Sequence, residues 1–164
     1  DDAGEKHPHD ADISIRLCRR APEQFRCASL FALRYAPAGS PEFRDRLFAG
    51  GPGCIQPFPV IVHSKRPNTW QKWIKAAGSG LPEPASVIKL DSMNGVVRAA
   101  ERGLGAAMIP LPVSARWFES GALVRLFEQE ITSKDSYYLI SEEDLDEAAI
   151  AFRDWALETF PAPG

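Results

Sequence analysis

The sequence predicts an α/β fold, and three observations support this prediction. Runs with the two-residue period of strands alternate along the chain with runs that carry one apolar face, as amphipathic helices do. Glycine and proline separate these runs at short intervals. The run at 59–63 (PVIVH) is rich in β-branched residues without alternation, which is typical of a strand covered on both faces. Together these patterns indicate parallel strands covered by helices.

The first third of the chain predicts two strands and a short helix. Residues 11–17 (ADISIRL) alternate apolar and polar side chains, and residues 27–35 (CASLFALRY) are a second β-prone run. The second strand should stop at 36–39 (APAG), because proline lacks an N–H donor and glycine relaxes the backbone. Ser40 should then cap a helix that has Pro41 in its first position.

The middle of the chain predicts strands and helices in alternation. Thr69 should cap a helix in which Trp70 and Trp73 lie on the apolar stripe, so we expect core packing for this pair rather than base stacking. Ser92 should cap the next helix, at 93–102. The strands predicted here are 59–63, 86–90 and 106–109.

The last third predicts a helix from Pro112 to Gly121, strands at 122–127 and 136–140, and a final helix. Residues 141–144 (SEED) resemble a capping box with Asp in place of Glu. The buried face of the final helix should consist of its apolar residues, namely Leu145, Ala148, Ala149, Phe152, Trp155, Ala156 and Phe160.

Composition excludes several classes of protein. The chain has 164 residues and a net charge of −3, so one domain or two small lobes are expected, with no general attraction to nucleic acid. The basic groups, Arg16 with 19–20 and 65–66, are short and should be solvated or ion-paired. No apolar run is long enough to span a membrane. Three cysteines without close pairing, Cys18, Cys27 and Cys54, predict reduced thiols in a cytoplasmic protein, although an exported chain whose signal was removed stays an alternative.

No motif for catalysis or for a cofactor occurs in the sequence. Nucleophile elbows, phosphate loops and dinucleotide fingerprints are absent, and the glycines of 103–105 (GLG) should only end the helix before them. His7, His9 and Asp10 are potential metal ligands, but they lie in or directly after the polar segment 1–9, which we expect to be a flexible arm that cannot preorganise a site. We therefore predict neither a metal nor a cofactor.

Candidate binding residues lie where strands end and helices begin, because ligands of α/β sheets bind beyond the carboxyl ends of the strands. His63 ends a buried strand and is either a satisfied strand-end histidine or a donor to a polar ligand. Ser92 opens a helix whose N–H groups favour an anion, so it is a plain cap or a cap that also contacts ligand. Tyr137 and Tyr138 face opposite sides of a strand, and the sequence favours neither for a ligand.

Several stretches together resemble the effector-binding domain of LysR-type transcriptional regulators. The resemblance covers residues from about Asp10 to Phe160, and the stretch at 97–110 is its most specific part. The branch it resembles contains regulators of glycine cleavage and β-lactamase genes. The matching pieces are DADISIR (10–16), YAP (35–37), His63 followed by WQKW (70–73), VRAAERGLGAAMIP (97–110), GALV (121–124) and YYL (137–139).

The resemblance implies a fold of two Rossmann-like lobes, as in type 2 periplasmic binding proteins. Lobe I would comprise residues 1–35 and 128–164, and lobe II residues 36–127. A small effector, a carboxylate or an amino-acid-like compound, would bind between the lobes. Its binding would shift the equilibrium between their open and closed arrangements. The first strand and helix of the family's lobe I and the winged helix-turn-helix have no counterpart here. Lobe I is therefore expected to be incomplete, and DNA would be contacted only through the missing module.

Site residues transfer from the family one by one. Ser92 and Met93 match the helix-start contact, Tyr137 the aromatic of the return strand, and His63 with Ser64 the strand end that faces the cleft. Arg16 matches the end of a lobe I strand, where it could pair with a carboxylate or with a surface group.

These observations predict a ligand-sensing domain without catalysis, from a cytoplasmic regulator that is a homo-oligomer at full length. An extracytoplasmic solute-binding protein of similar fold is the alternative. A third class, an enzyme that uses His63 as general base, requires a carboxylate within hydrogen-bond reach of the imidazole.

Overall fold

The computed structural model describes residues 11–23, 25–51, 55–78 and 80–160, so the segment 1–9 and Cys54 lie outside the described residues. Strands and helices alternate along most of the described chain. The strands are β1 (Ile13–Cys18), β2 (Arg26–Gly39), β3 (Pro59–His63), β4 (Ser86–Leu90), β5 (Ala106–Leu111), β6 (Val124–Arg125) and β7 (Ile131–Ser141). The helices are α1 (Pro41–Leu47), α2 (Thr69–Ala77), α3 (Met93–Glu101), α4 (Ala115–Glu119) and α5 (Glu147–Thr159).

The chain divides into two compact units. Unit 1 comprises Asp1–Leu33 and Thr132–Gly164, and unit 2 comprises Arg34–Ile131. The chain crosses from one unit to the other twice, within β2 and near the start of β7.

Unit 1 is built on an antiparallel arrangement of strands. β1 pairs with β7, with Ile13 opposite Ser141 and Cys18 opposite Ser136, and β7 lies between β1 and β2. One buried cluster joins these strands to α5, and it consists of Leu30, Leu139 and Ala156. Within the described residues no helix, here or in unit 2, combines the length and the apolar character that crossing a bilayer requires.

Unit 2 is centred on β3, which is parallel to both of its neighbours. β3 pairs with β4, with His63 opposite Leu90, and on its other side with β5. β5 pairs antiparallel with the end of β2, which also carries the short β6. Helix α3 covers this sheet. The buried cluster there consists of Ala38, Ile61, Val96, Val97, Ala100, Ala107, Ile109 and Leu123.

The predicted parallel pairing is confirmed for β3 with β4 and β5, whereas β1, β2 and β6 pair antiparallel, and β2 is longer than predicted. β2 runs through Pro37 to Gly39. Proline is compatible with this position because Pro37 lies opposite Met108 in the β5 ladder and contributes its carbonyl oxygen, which accepts from the Leu126 N–H at 2.9 Å. A strand tolerates proline where the missing donor is not needed.

Two predicted helix caps are also wrong. Helix α2 has Asn68 at the N-cap, and Thr69 is its first residue. Helix α5 begins at Glu147 because the Asp146 carboxylate accepts from the Ala149 N–H at 2.7 Å, whereas Ser141 remains in β7. The caps at Ser40 and Ser92 are confirmed, since each hydroxyl accepts from the backbone N–H three residues later.

The core contains some of the predicted aromatic residues but not all. Trp70 and Trp73 are buried and their ring centroids lie 5.1 Å apart, which confirms core packing for this pair. Phe152 and Trp155 do not belong to the core of unit 1, because 43% and 55% of their surfaces are exposed. The predicted buried face of α5 is wrong at these two positions and at Ala148, which is also exposed.

Candidate functional site

The carboxyl ends of β3 and β4 place several predicted site residues side by side. His63 and Leu90 are in register at the ends of the two strands. The Ser64 N–H donates to the Leu90 carbonyl oxygen at 2.7 Å, which joins the strands one residue further. Helix α2 begins shortly after β3, and α3 begins three residues after β4, so this edge of unit 2 gathers two helix starts.

The imidazole of His63 is buried at this edge and is kept neutral. Its Nδ1 accepts a hydrogen bond from the Lys65 N–H at 3.1 Å. Burial lowers the pKa of His63, and the charges of Arg66 and Lys65 lower it further, while Asp91 acts in the opposite direction. A neutral imidazole whose Nδ1 accepts carries its hydrogen on Nε2. His63 is therefore a hydrogen-bond donor through Nε2.

The loop between β3 and α2 is fixed by side-chain hydrogen bonds. The Arg66 guanidinium donates through Nη1 to the Tyr35 hydroxyl at 2.9 Å. The Thr69 hydroxyl donates to the Arg66 carbonyl oxygen, also at 2.9 Å. These bonds hold a cationic loop beside the end of β3.

The start of α3 provides an exposed hydroxyl and a helix N-terminus. Ser92 has extended backbone angles, and its Oγ accepts from the Gly95 N–H at 3.4 Å. Met93 follows as the first helical residue and is half-buried. The first N–H groups of a helix lack partners within the helix and attract anions. A polar or anionic ligand is therefore favoured at this point.

A small cavity of about 10 Å³ lies between these elements. That volume is close to the minimum for one water molecule, so a larger ligand would contact the rim of the edge instead of entering the cavity. The lining residues are Tyr35, Ile61, Val62, His63, Arg66, Thr69, Met93, Val96 and Met108.

Two predicted site residues belong to unit 1. Arg16 is half-buried on β1, opposite Tyr138 of β7. Tyr137 lies opposite Leu17, and its ring packs on Phe31 with centroids 5.1 Å apart. Packing thus fixes the Tyr137 ring within unit 1.

The structure brings His63 and Met93 to one cavity, with Ser64 and Ser92 at the ends of the same two strands. It adds the hydrogen-bonded pair of Tyr35 and Arg66, which the sequence does not predict. Their separation of 31 residues carries no spacing signal, although the Lys65-Arg66 dipeptide at a strand end was a recognisable cation.

Comparison with known proteins agrees on one family. The family model of the LysR substrate binding domain matches residues 7–161. The HTH-type transcriptional activator AmpR of Pseudomonas aeruginosa is 35% identical over 104 residues, which are 60% of this chain and 34% of that protein. The chain thus spans about a third of the length of the curated relatives that it matches.

Two solved structures show the same fold. An effector binding domain of Citrobacter freundii with three amino acid substitutions has a TM-score of 0.71 and 22% identity, over 91% of this chain and 75% of that one. The effector domain of AmpR from Pseudomonas aeruginosa has a TM-score of 0.65 and 26% identity, over 90% of this chain and 71% of that one. The chain belongs to the LysR substrate-binding domain family of transcriptional regulators and has its periplasmic-binding-protein-like fold.

Proposed function

We propose that this chain is the effector-sensing part of a LysR-type transcription regulator. A small molecule binds with different affinity to two conformations of the domain and so shifts their populations. As part of this proposal, residues 1–35 with 128–164 form lobe I, and residues 36–127 form lobe II. The regulator acts in the cytoplasm as a homo-oligomer, and a separate module contacts DNA.

The observation that carries the proposal is the gathering of donors at the carboxyl ends of β3 and β4. The imidazole of His63 lines the small cavity at the end of β3, and the exposed Ser92 hydroxyl stands at the N-terminus of α3. The charges of Lys65 and Arg66 act on the same edge. Donors, cations and a helix N-terminus together favour a ligand that bears a carboxylate, such as an amino acid or a related acid. Ser64 and Met93 complete the proposed contacts from unit 2.

Unit 1 contributes Arg16 and Tyr137 in this proposal. Arg16 would pair with a ligand carboxylate, and the Tyr137 hydroxyl would make a hydrogen bond to the ligand.

A catalytic role for His63 is disfavoured by its hydrogen bonding. In a His–carboxylate dyad the carboxylate accepts from one ring nitrogen while the other acts as base. Here Nδ1 is occupied by the Lys65 N–H, and the effect of Asp91 on the pKa of His63 is smaller than those of burial and the two cations. The proposal therefore assigns binding and no chemical step.

A ligand screen on the purified chain tests this function. Thermal-shift measurements with amino acids, small organic acids and cell-wall fragments should find a compound that raises the melting temperature. Ser92→Ala and Tyr137→Phe should reduce that rise, whereas Ser120→Ala, a matched loss of an exposed hydroxyl at the C-cap of α4, should leave it unchanged. Stabilisation that survives both site substitutions would remove Ser92 and Tyr137 from the site.

A further inference from the structure

A larger cavity lies at the opposite end of β3, where the strand begins. Its volume is about 420 Å³, within the range of pockets that hold small molecules. Pro59 is the first residue of β3, and residues 103–104 lie two to three residues before β5, so the cavity belongs to the amino-terminal edge of these strands. Its walls include Phe43, Leu47, Phe58, Pro59 and Leu104. We call it the amino-end pocket.

The walls of the amino-end pocket are fixed by core packing. Phe43 and Phe58 meet edge to face with ring centroids 6.3 Å apart, and Phe58 packs in the same way on buried Trp70 at 5.6 Å. At Gly105 a Cβ atom would stand only 2.7 Å from the Pro59 carbonyl oxygen, so the two backbones are in close contact there. The aromatic wall of the pocket and its floor at Gly105 are therefore held in place by packing.

Arg46 supplies a positive charge to this apolar pocket. Its guanidinium lies 5.8 Å from the centroid of the Phe43 ring, and Nη2 donates to the Gly103 carbonyl oxygen at 2.9 Å. Among the described residues that line the pocket, Arg46 is the ionisable one. A guanidinium has five N–H donors, so a bond to one carbonyl leaves capacity for a bidentate acceptor.

The acidic residue one helical turn before Arg46 is engaged mainly elsewhere. Glu42 lies one turn before Arg46, in the first turn of the helix. Its pKa is lowered chiefly by its own backbone N–H and by the Ser40 hydroxyl, with Arg46 the smallest of the causes. The Glu42 carboxylate is therefore held at the helix start, and its charge is not the main partner of Arg46.

Leu104 has no role in the core that explains its side chain. It is 54% exposed at the pocket. The residues on either side of it, Gly103 and Gly105, are glycines for reasons of backbone conformation and close backbone contact. Gly103 has a φ of +70°, and a Cβ there would also stand 3.1 Å from the Ser40 hydroxyl. The Gly-Leu-Gly stretch thus ends α3 and, at the same time, presents an apolar side chain to the pocket.

We propose that the amino-end pocket binds a small amphipathic carboxylate. The apolar body would pack on Phe43, Phe58 and Leu104, and the carboxylate would bind the Arg46 guanidinium. This site is at the opposite end of β3 from His63, so it goes beyond the proposed effector function and does not depend on it.

Titration of the isotope-labelled chain with 3-phenylpropionate, followed by amide NMR, tests the proposal. The neutral analogue 3-phenylpropanol serves as a second probe. We expect saturable shifts at the amides of Arg46, Gly103 and Leu104. Arg46→Gln should weaken binding of the acid roughly tenfold and leave the alcohol unchanged, because only the charged pair is lost. Leu104→Ser should weaken both probes, while Val113→Ser, at a similarly exposed apolar residue of unit 2, should weaken neither.

Three results would overturn the proposal. One is the absence of saturable shifts up to about 10 mM, the limit of weak binding. Another is affinity that Leu104→Ser leaves unchanged in a variant whose spectrum shows it folded. The third is concentration-dependent self-association that Leu104→Ser abolishes without any probe binding, which would make the pocket an interface between chains.

Discussion

Helices α3 and α5 have similar apolar content but very different surroundings. Helix α3 buries Val96, Val97 and Ala100 completely. Helix α5 is longer and carries two aromatic rings, yet Ala156 is its buried residue. Phe152 and Trp155 contact each other instead, with ring centroids 5.6 Å apart.

The difference lies in the surface opposite each helix. Helix α3 packs on β3, β4 and β5, at the centre of the sheet of unit 2. Helix α5 packs through Ala156 and half-buried Leu157 on the cluster around Leu30 and Leu139. Burial depends on the surface that a helix meets and not only on its own side chains, so the larger rings of α5 stabilise unit 1 less than the valines of α3 stabilise unit 2.

The strongest test of this contrast removes apolar atoms from each helix. Val96→Ala should lower the free energy of unfolding by about 2 kcal/mol, because it leaves a cavity in the core of unit 2. Phe152→Ala removes more atoms but should cost less than about 1 kcal/mol, since the ring is already half in water. Urea denaturation followed by circular dichroism measures both. Equal losses would show that α5 is as well packed as α3.

A second test concerns the pH dependence of the stability of unit 2, which His63 should influence from the edge where α3 begins. The pKa of His63 is lowered from its ordinary value of 6.5, so the unfolded chain binds this proton more readily than the folded chain. The neutral imidazole makes its full contribution to the free energy of unfolding above about pH 6.5. This contribution is lost as the pH falls below that value, by about 1.4 kcal/mol for each pH unit by which the pKa of His63 is lowered.

His63→Gln should remove this dependence. The difference in unfolding free energy between the parent chain and the variant should therefore shrink as the pH falls below 6.5, whereas other titrating groups cancel in the difference. Denaturation at a series of pH values measures it. A difference that stays constant between neutral and acidic pH would contradict the assigned state of His63.

The helix caps offer a smaller comparison. Ser92→Ala and Asp146→Ala should each cost about 1 kcal/mol. The Asp146 bond is shorter, 2.7 Å against 3.4 Å, and its acceptor is charged, so the loss in α5 should be the larger. Ser92→Asn and Asp146→Asn retain a capping oxygen and serve as controls. A larger loss at Ser92 would mean that its hydroxyl has another role in the folded chain.

The smallest effect is expected at Trp155. Trp155→Gln should change the free energy of unfolding by less than about 0.5 kcal/mol, because more than half of the side chain is exposed. Hydrogen exchange at the amides of β7 measures this change in the stability of unit 1. A loss well above this value would show that the ring is covered in solution.

Local chemistry made much of the fold predictable. The bounds of β3 and β4 are as predicted, because a β-branched run between proline and polar residues permits few alternatives. The helix caps at Ser40 and Ser92 were equally predictable, because serine is a preferred N-cap residue. The start of α5 was not, because Ser141 and Asp146 both provide good caps and the antiparallel pairing of Ser141 with Ile13 decides between them.

The positions of the candidate site residues were predictable where they follow from strand ends. His63 and Ser92 could be selected as candidate binding residues because ligands of α/β sheets bind beyond the carboxyl ends of the strands, where the helices begin. Arg66 and Tyr35 could not be paired, since their hydrogen bond depends on how β2 and β3 come together within unit 2. The amino-end pocket was hidden for the same reason: its apolar walls come from α1, the start of β3 and the turn after α3.

The uneven burial of the aromatic residues gives the molecule an optical asymmetry. Of its four tryptophans, Trp70, Trp73 and Trp117 lie in unit 2 and Trp155 alone lies in unit 1. Buried Trp70 and Trp73 should emit at short wavelength, while exposed Trp155 should emit at long wavelength and be quenched by iodide. The blue edge of the fluorescence spectrum therefore reports on unit 2 through Trp70 and Trp73, and iodide quenching at the red edge reports mainly on Trp155 of unit 1, with half-buried Trp117 contributing between them.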